Sequence, residues 1–425
     1  MNWKKVKKDL LLASFSHFMY KVVGYLVLTI LTRYLAKGEM GEFFFSASLA
    51  TFFALITQLG TDNYLIRETA GKPGEALQNF SEVISIRLIL FALYLLLLNG
   101  FALIFKPEIA EIVFLTSIYV LLEQIYSSFG ALFIGIKKVK YNVLAGVGSR
   151  IFLVILIYFI VKLNGSLTLI ITCYIFANAL LFGIAFLILR FKIGQIRLIW
   201  KFDPAWKVIR ISFPFFILSF LSLVHFKVDS IMLGFMKSYS TVATYEAAYK
   251  LFEASQFLIV PFGMIFLPIF SEMAFKKNWH DIEKLIKKLL LVLISLGSVV
   301  ALIVIAAAGF IIPLVFGSKY SESISVLKIL YLTVPLLYMA NINVVLAKSI
   351  FLEKKVIKIM LICAILNILL NSIAITLWSA AGAAWATFIS ESILAVLLVR
   401  LNYQSLQTLS LNEPIQWLRE FDHAR

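Results

Sequence analysis

Long polar stretches are what this chain lacks. Only 15% of its 425 residues are Asp, Glu, Lys or Arg, against about 25% in a soluble protein. Hydrophobic residues make up 61%, aromatics 15%, and the mean hydropathy is +0.95. A soluble domain has no interior large enough for that much apolar surface. A soluble enzyme, a nucleic-acid binder and a receptor with a large ectodomain are therefore excluded. Cysteine is nearly absent. Cys173 and Cys363 each lie inside an apolar run, so no disulfide framework or thiolate metal site is implied, and both read as small packing residues. The histidines, His17, His225, His280 and His423, are scattered without paired metal-ligand spacing. No phosphate-binding Walker loop is present: Gly317-Ser318-Lys319 has its tail, but Gly309 is too far upstream. No metal, no cofactor and no enzymatic activity are expected.

What the chain does have is apolar runs with short polar breaks. The runs cover about 10–34, 42–60, 83–105, 109–133, 142–161, 166–191, 209–236, 241–270, 286–312, 322–348, 356–378 and 380–403. Each is long enough to cross a hydrocarbon layer of about 30 Å as a helix. Backbone groups in lipid must pair within their own segment, so an all-α polytopic membrane protein with about twelve transmembrane helices is expected. The N-terminal lysines, Lys4, Lys5, Lys7 and Lys8, resemble the charged start of a signal peptide. The following run is too long for one, and reads as the first span.

The net charge of +16 is explained by its location. With the N-terminus placed in the cytoplasm, 27 Lys and Arg residues fall at cytoplasmic breaks and ends, including Lys137, Lys138, Lys140, Arg197, Lys276 and Lys354. Only 6 fall outside: Arg33, Lys37, Lys106, Lys162, Lys237 and Lys319. This bias predicts a multi-pass protein of the plasma or inner membrane with both termini cytoplasmic, and no nucleic-acid partner. Trp3, Trp200, Trp206, Trp279 and Trp417 lie at the cytoplasmic interface on this topology, and Trp378 and Trp385 flank the last external hairpin. The longest internal break, 192–208, divides the chain into an N-terminal half of six spans (1–191) and a C-terminal half of six (209–403), followed by a tail (404–425). Asn164-Gly-Ser on an external break is a glycosylation sequon.

Five of the nine prolines lie within spans, all in the second half: Pro214, Pro261, Pro268, Pro313 and Pro335. They predict either fixed curvature or a half that bends during transport. Ionisable residues within spans are the candidates for function, because they are costly in lipid. The cations are Lys21, Arg87, Arg150, Lys227 and Lys250. A water-filled cavity lined by them would attract an anion such as phosphate or pyrophosphate. Arg87 and Arg150 can alternatively snorkel toward the cytoplasmic interface; Lys21 is too deep for that. His225 and Asp229 share a helical face and form either a coupling-proton site or a plain structural pair. Glu246, Lys250 and Glu253 share another face, as a neutralised triad or a cavity lining. Glu123 and Glu391 sit at mid-depth.

Several segments resemble the polysaccharide biosynthesis and O-antigen flippase family. They include Leu31-Thr-Arg-Tyr-Leu-Ala-Lys-Gly-Glu-Met-Gly-Glu-Phe, Gln58-Leu-Gly-Thr-Asp-Asn-Tyr-Leu-Ile-Arg-Glu and Lys227-Val-Asp-Ser-Ile-Met-Leu-Gly. Further on come Ala243-Thr-Tyr-Glu-Ala-Ala-Tyr-Lys-Leu, Phe316-Gly-Ser-Lys-Tyr and Ala380-Ala-Gly-Ala-Ala-Trp-Ala-Thr. The resemblance implies the MOP (MATE-like) superfamily fold, two six-helix lobes in a V around a central cavity. It implies a monomer that moves a polyprenyl-(pyro)phosphate-linked oligosaccharide from the cytoplasmic to the outer leaflet. Spans 1, 2, 7 and 8 would line the cavity, which favours Lys21, Lys227 and Lys250 as headgroup cations. The alternative is a MATE-like exporter of cationic drugs coupled to protons or sodium, with Asp229, His225, Glu246, Glu253 and Glu391 as ion sites. A membrane glycosyltransferase would normally need a substantial external loop, and none is evident.

Overall fold

The computed structural model describes residues 22–199 and 202–410, and among them every regular element is helical. The first part of the chain forms α1 (described over Val22–Tyr34), α2 (Lys37–Gln58), α3 (Thr61–Gly71), α4 (Ala76–Phe105), α5 (Ala110–Gly135), α6 (Val139–Lys162) and α7 (Leu167–Lys192). The second part forms α8 (Phe202–Met236), α9 (Tyr239–Ser255), α10 (Val260–Phe275), α11 (Trp279–Phe316), α12 (Ser323–Leu332), α13 (Val334–Ser349) and α14 (Glu353–Ser410).

Among the described residues nine helices are long and apolar enough to cross a bilayer, or ten if the bent pair α12–α13 counts as one span. Large apolar side chains stand outward along them, such as Leu96, Ile104, Met264, Leu291 and Phe310. In water such a surface would aggregate; in a bilayer it is the lipid-facing belt. The chain is thus a multi-pass membrane protein.

Two of the expected spans are subdivided, and one break carries a helix of its own. The break after the second run contains a short helix, α3, whose Tyr64 and Leu65 are buried while Arg67 faces outward. The run at 241–270 is two helices, α9 and α10, separated by a single tight turn at Gln256–Leu258, with Pro261 in the first turn of the new helix. The run at 322–348 is likewise α12 and α13, bent by 42°, with Pro335 just inside the second helix. Proline has no N–H to offer the preceding turn, so it begins a helix more easily than it continues one. By contrast Pro214, Pro268 and Pro313 lie inside α8, α10 and α11.

The last two runs join directly. The apolar stretch of 57 residues would be about three times the hydrocarbon thickness if straight. It is broken at Ser379, whose φ of 54° and ψ of −131° are not helical. The two halves pack closely: a Cβ on Gly382 would lie 1.9 Å from the Ala374 carbonyl oxygen. Asn367 Nδ2 donates to Ser390 Oγ across them at 3.0 Å, and Asn371 Nδ2 donates to Asn367 Oδ1 at 3.0 Å. Such side-chain bonds between helices are worth about 0.6 kcal/mol each in lipid.

The packing divides the chain into two units, one running through Gly234 and including Ser238–Ala243, the other comprising Phe235–Lys237 and everything from Thr244. α8 therefore packs with the first unit, and the division falls about one span later than the 192–208 stretch that halves the sequence. Gly60, at φ 73°, explains this in part: a Cβ there would lie 2.4 Å from the Ser212 carbonyl oxygen of α8. The Phe52 and Phe220 rings also meet, at 5.9 Å between centroids. Within the 192–208 stretch, residues 194–199 leave α7 without regular structure and Phe202 opens α8. The backbone of residues 194–199 is held by α4, with the N–H groups of Arg197 and Ile199 donating to Ser81 Oγ (3.3 Å) and Ser85 Oγ (2.8 Å).

Gly382→Ala is expected to destabilise the protein by about 1–3 kcal/mol, because the added methyl meets backbone that cannot move aside. Gly309→Ala, with open space around the new Cβ, is expected to be neutral or slightly stabilising. Thermal unfolding in detergent checks both.

Candidate functional site

The most deeply buried charge in the first unit is Arg87, on α4, with no exposed side-chain surface. It does not snorkel. Its Nε and Nη2 donate to Thr61 Oγ1 at 2.9 and 2.7 Å, and Nη2 also donates to Asp62 Oδ1 at 2.7 Å. Its Nη1 donates to Ser128 Oγ at 2.6 Å and, at longer range, to Ser127 Oγ and the Gln124 carbonyl. A guanidinium has five N–H groups in a fixed fork, and here every arm of the fork meets protein. Ser127 closes the ring by donating to Asp62 Oδ2 at 3.0 Å. The cluster ties α3, α4 and α5 at one point. Phe80, Phe129, Phe133 and Leu65 form an apolar core on the same three helices.

Beside this cluster lies a cavity of about 390 Å³ between α2, α5 and α8. Its polar lining is Thr51, Gln58, Gln124, Ser219 and Ser222; leucines of α2 and α8 and the Phe226 ring complete it. No ionisable side chain lines it. Gln58 Nε2 donates to Gln124 Oε1 at 2.6 Å. The two amides connect to the Arg87 cluster through backbone: Thr61 Oγ1 donates to the Gln58 carbonyl at 2.6 Å, and the Gln124 carbonyl accepts from Arg87.

A second polar cluster fixes the α8–α9 turn. Tyr239 Oη donates to Glu108 Oε1 at 2.8 Å. Lys106 Nζ lies 3.6 Å from the same oxygen and 5.3 and 5.8 Å from the centroids of Tyr239 and Phe45. Gly41 of α2 allows the approach, since a Cβ there would sit 1.8 Å from the Tyr239 carbonyl oxygen.

The candidates read from the sequence lie on several helices. Lys21 lies outside the described residues. Arg87 is built into the helix junction. Arg150, on α6, is mostly buried, with Nη2 at 3.7 Å from Glu123 Oε1 of α5. On α8, His225 and Asp229 are buried and Lys227 is half-buried. On α9, Glu246 is buried, while Lys250 Nζ donates to Glu253 Oε2 at 3.0 Å. Glu391 is half-buried on α14. Among the described residues no group of three His, Cys, Asp or Glu is placed to hold a metal ion.

Sequence reasoning missed Asp62, Gln58 and Gln124. Asp62 stood in a polar break and Arg87 in a span 25 residues away, so nothing paired them. The two glutamines did carry a signal, as uncharged amides at the end or middle of apolar runs, where each must find a partner or a polar space.

The helical arrangement resembles solved transporters. Lipid II flippase MurJ, in an inward closed conformation, matches with a TM-score of 0.72 at 17% identity, over 95% of this chain and 90% of that one. An inward-facing multidrug resistance MATE family transporter of the MOP superfamily matches at 0.69 and 13%, over 92% and 96%. A MOP superfamily transporter from Pyrococcus furiosus Vc1 (DSM3638) matches at 0.54 and 12%, over 96% and 95%. These likenesses define the fold class, an all-helical membrane fold that this chain shares with a protein named as a lipid II flippase and with one named as a MATE family transporter. No curated protein matches the chain in sequence. The profile of the polysaccharide biosynthesis protein family matches residues 6–274, well over half of the chain, and the chain belongs to that family. The resemblance seen in its motifs is borne out.

Removing Arg87 leaves Asp62 and three hydroxyls around an empty space. Arg87→Ala is expected to cost about 3–5 kcal/mol, as for breaking a buried ion pair. Arg87→Lys keeps the charge but lacks the fork, and is expected to recover only part of that loss. The yield and unfolding temperature of purified protein measure both.

Proposed function

We propose that the protein is a flippase that moves a polyprenyl-(pyro)phosphate-linked oligosaccharide from the cytoplasmic to the outer leaflet by alternating access, for assembly of a cell-surface polysaccharide. Membership of the polysaccharide biosynthesis family is the observation that carries this reading. The fold shared with a protein named as a lipid II flippase supports it. The five cations within the spans, Lys21, Arg87, Arg150, Lys227 and Lys250, argue against a carrier of cationic drugs.

In this reading Lys227 and Lys250, with Lys21, hold the phosphate groups while the polyprenyl tail stays in the bilayer. Lysine suits the task as a compact charge with three donors that can release as easily as bind. Arg87 acts differently, holding α3, α4 and α5 rigid, and Arg150 lies beside Glu123. Asp229, His225, Glu246, Glu253 and Glu391 are the candidates for a coupling proton or sodium ion. The protein works as a monomer in the plasma or inner membrane, with both termini cytoplasmic and two lobes of six spans, 1–191 and 209–403. On that orientation the Tyr239–Glu108 corner lies on the outer side.

A MATE-like cation-coupled multidrug exporter is the second reading, favoured by the fold match to a multidrug transporter. It would move the work to the carboxylates.

Deleting the gene is expected to abolish polymer export and build up the lipid-linked unit on the cytoplasmic side. Lys227→Ala and Lys21→Ala are each expected to insert normally and to lower export about tenfold or more, as one lost charge-assisted hydrogen bond would. Intact export with heightened sensitivity to cationic drugs on deletion would favour the exporter. Unchanged export by both variants would remove these lysines from the site.

A further inference from the structure

The cavity between α2, α5 and α8 is polar but uncharged, and the charged candidates do not line it. We propose that it is a subsite for one neutral sugar ring of the substrate, with Gln58, Gln124 and Ser219 as its specificity-determining residues; this rests on the flippase reading above.

The lining offers both donors and acceptors. Gln58 uses one N–H on Gln124 Oε1, which leaves the side-chain oxygen Oε1 of Gln58 and the Gln124 amide N–H groups without a protein partner. The Ser219 hydroxyl has none either. Thr51 and Ser222 donate to their own helices, to the carbonyls of Ala47 (2.7 Å) and Leu218 (2.9 Å), and keep their oxygen lone pairs. Sugar hydroxyls each donate one hydrogen bond and can accept two, and match such a set. Phe226, the exposed member of the lining, presents an aromatic surface to the C–H face of a ring.

The same features argue against other occupants. A pyrophosphate brought into a cavity without cations would lose its hydration with nothing in return. An apolar molecule would leave the amides unpaired, and a site built for hydroxyls rejects ligands that lack them. At about 390 Å³ the volume is near the lower end of ligand pockets, which fits one ring rather than an oligosaccharide. The subsite thus separates two tasks: lysines hold the charged phosphates common to all such lipids, and the amides read the sugar. Gln58 ends α2 on the side proposed as cytoplasmic, so the sugar is read at loading.

The test is equilibrium binding to the full-length protein in nanodiscs. One probe is a fluorescent polyprenyl pyrophosphate carrying a single neutral N-acetylhexosamine, the other the same lipid without sugar. Gln124→Leu removes the side-chain amide but not the backbone carbonyl that Arg87 uses, and Ser219→Ala removes a hydroxyl that holds nothing in the protein. Each is expected to weaken binding of the sugar-bearing lipid about tenfold and to leave the sugarless lipid and the unfolding temperature unchanged. If both variants bind both lipids as wild type does, or lose both equally, the subsite is overturned while the flippase reading stands. If the wild-type protein binds neither lipid, the flippase reading fails and the subsite with it.

Discussion

Hydrocarbon offers no hydrogen bonds, so every polar group carried into it must be met by the protein itself. Arg87 shows the strictest case. A guanidinium without exposed surface is tolerable only because Thr61, Asp62, Ser127 and Ser128 surround it. The same demand shapes the rest of the chain. The unstructured residues after α7 lend their N–H groups to Ser81 and Ser85. Asn402 reaches both the carbonyl and the side chain of Asn343 at 2.9 Å. Tyr331 and Tyr338 donate to backbone carbonyls where α9 gives way to α10. Helix ends and proline breaks are the weak points of such a structure, and the bonds of Ser81, Ser85, Tyr331 and Tyr338 serve them.

This constraint sorts the polar residues into two kinds. Some are consumed by the fold: Arg87 with Asp62, and the asparagines of α13 and α14. Others keep unused bonding capacity beside a cavity, as Gln58, Gln124 and Ser219 do. Charge does not distinguish the two kinds; the most conspicuous cation of the first unit belongs to the fold, and neutral amides face open space. In the function proposed here, the residues that recognise substrate are drawn from the second kind together with the half-buried lysines of α8 and α9.

Much of the architecture was legible because a transmembrane run is a long signal. Twenty apolar residues between basic clusters leave little room for another reading, and the family motifs in the first two-thirds of the chain agreed with the family match over residues 6–274. What could not be read were features set by single contacts. α3 is short and mixed in polarity, so it looked like a loop. Pro261 and Pro335 lie just after interruptions of their spans, at Gln256–Leu258 and Thr333, and the position of each depends on where the preceding turn ends. The place of α8 with the first unit follows from Gly60 lying against Ser212, a contact across some 150 residues. The candidate cations were visible as intramembrane charges, but their partners were not, since Asp62 and Glu123 meet Arg87 and Arg150 only through tertiary packing.

The account stands or falls on whether the purified protein moves a lipid-linked sugar between leaflets. Reconstituted liposomes carrying a fluorescent polyprenyl-pyrophosphate sugar, with the outer leaflet quenched chemically, measure this directly, and a cationic dye under an imposed proton or sodium gradient serves as the competing cargo. The account predicts protein-dependent loss of the protected inner-leaflet lipid signal and no dye movement. Dye movement with the lipid left in place would contradict it and make the protein a drug exporter.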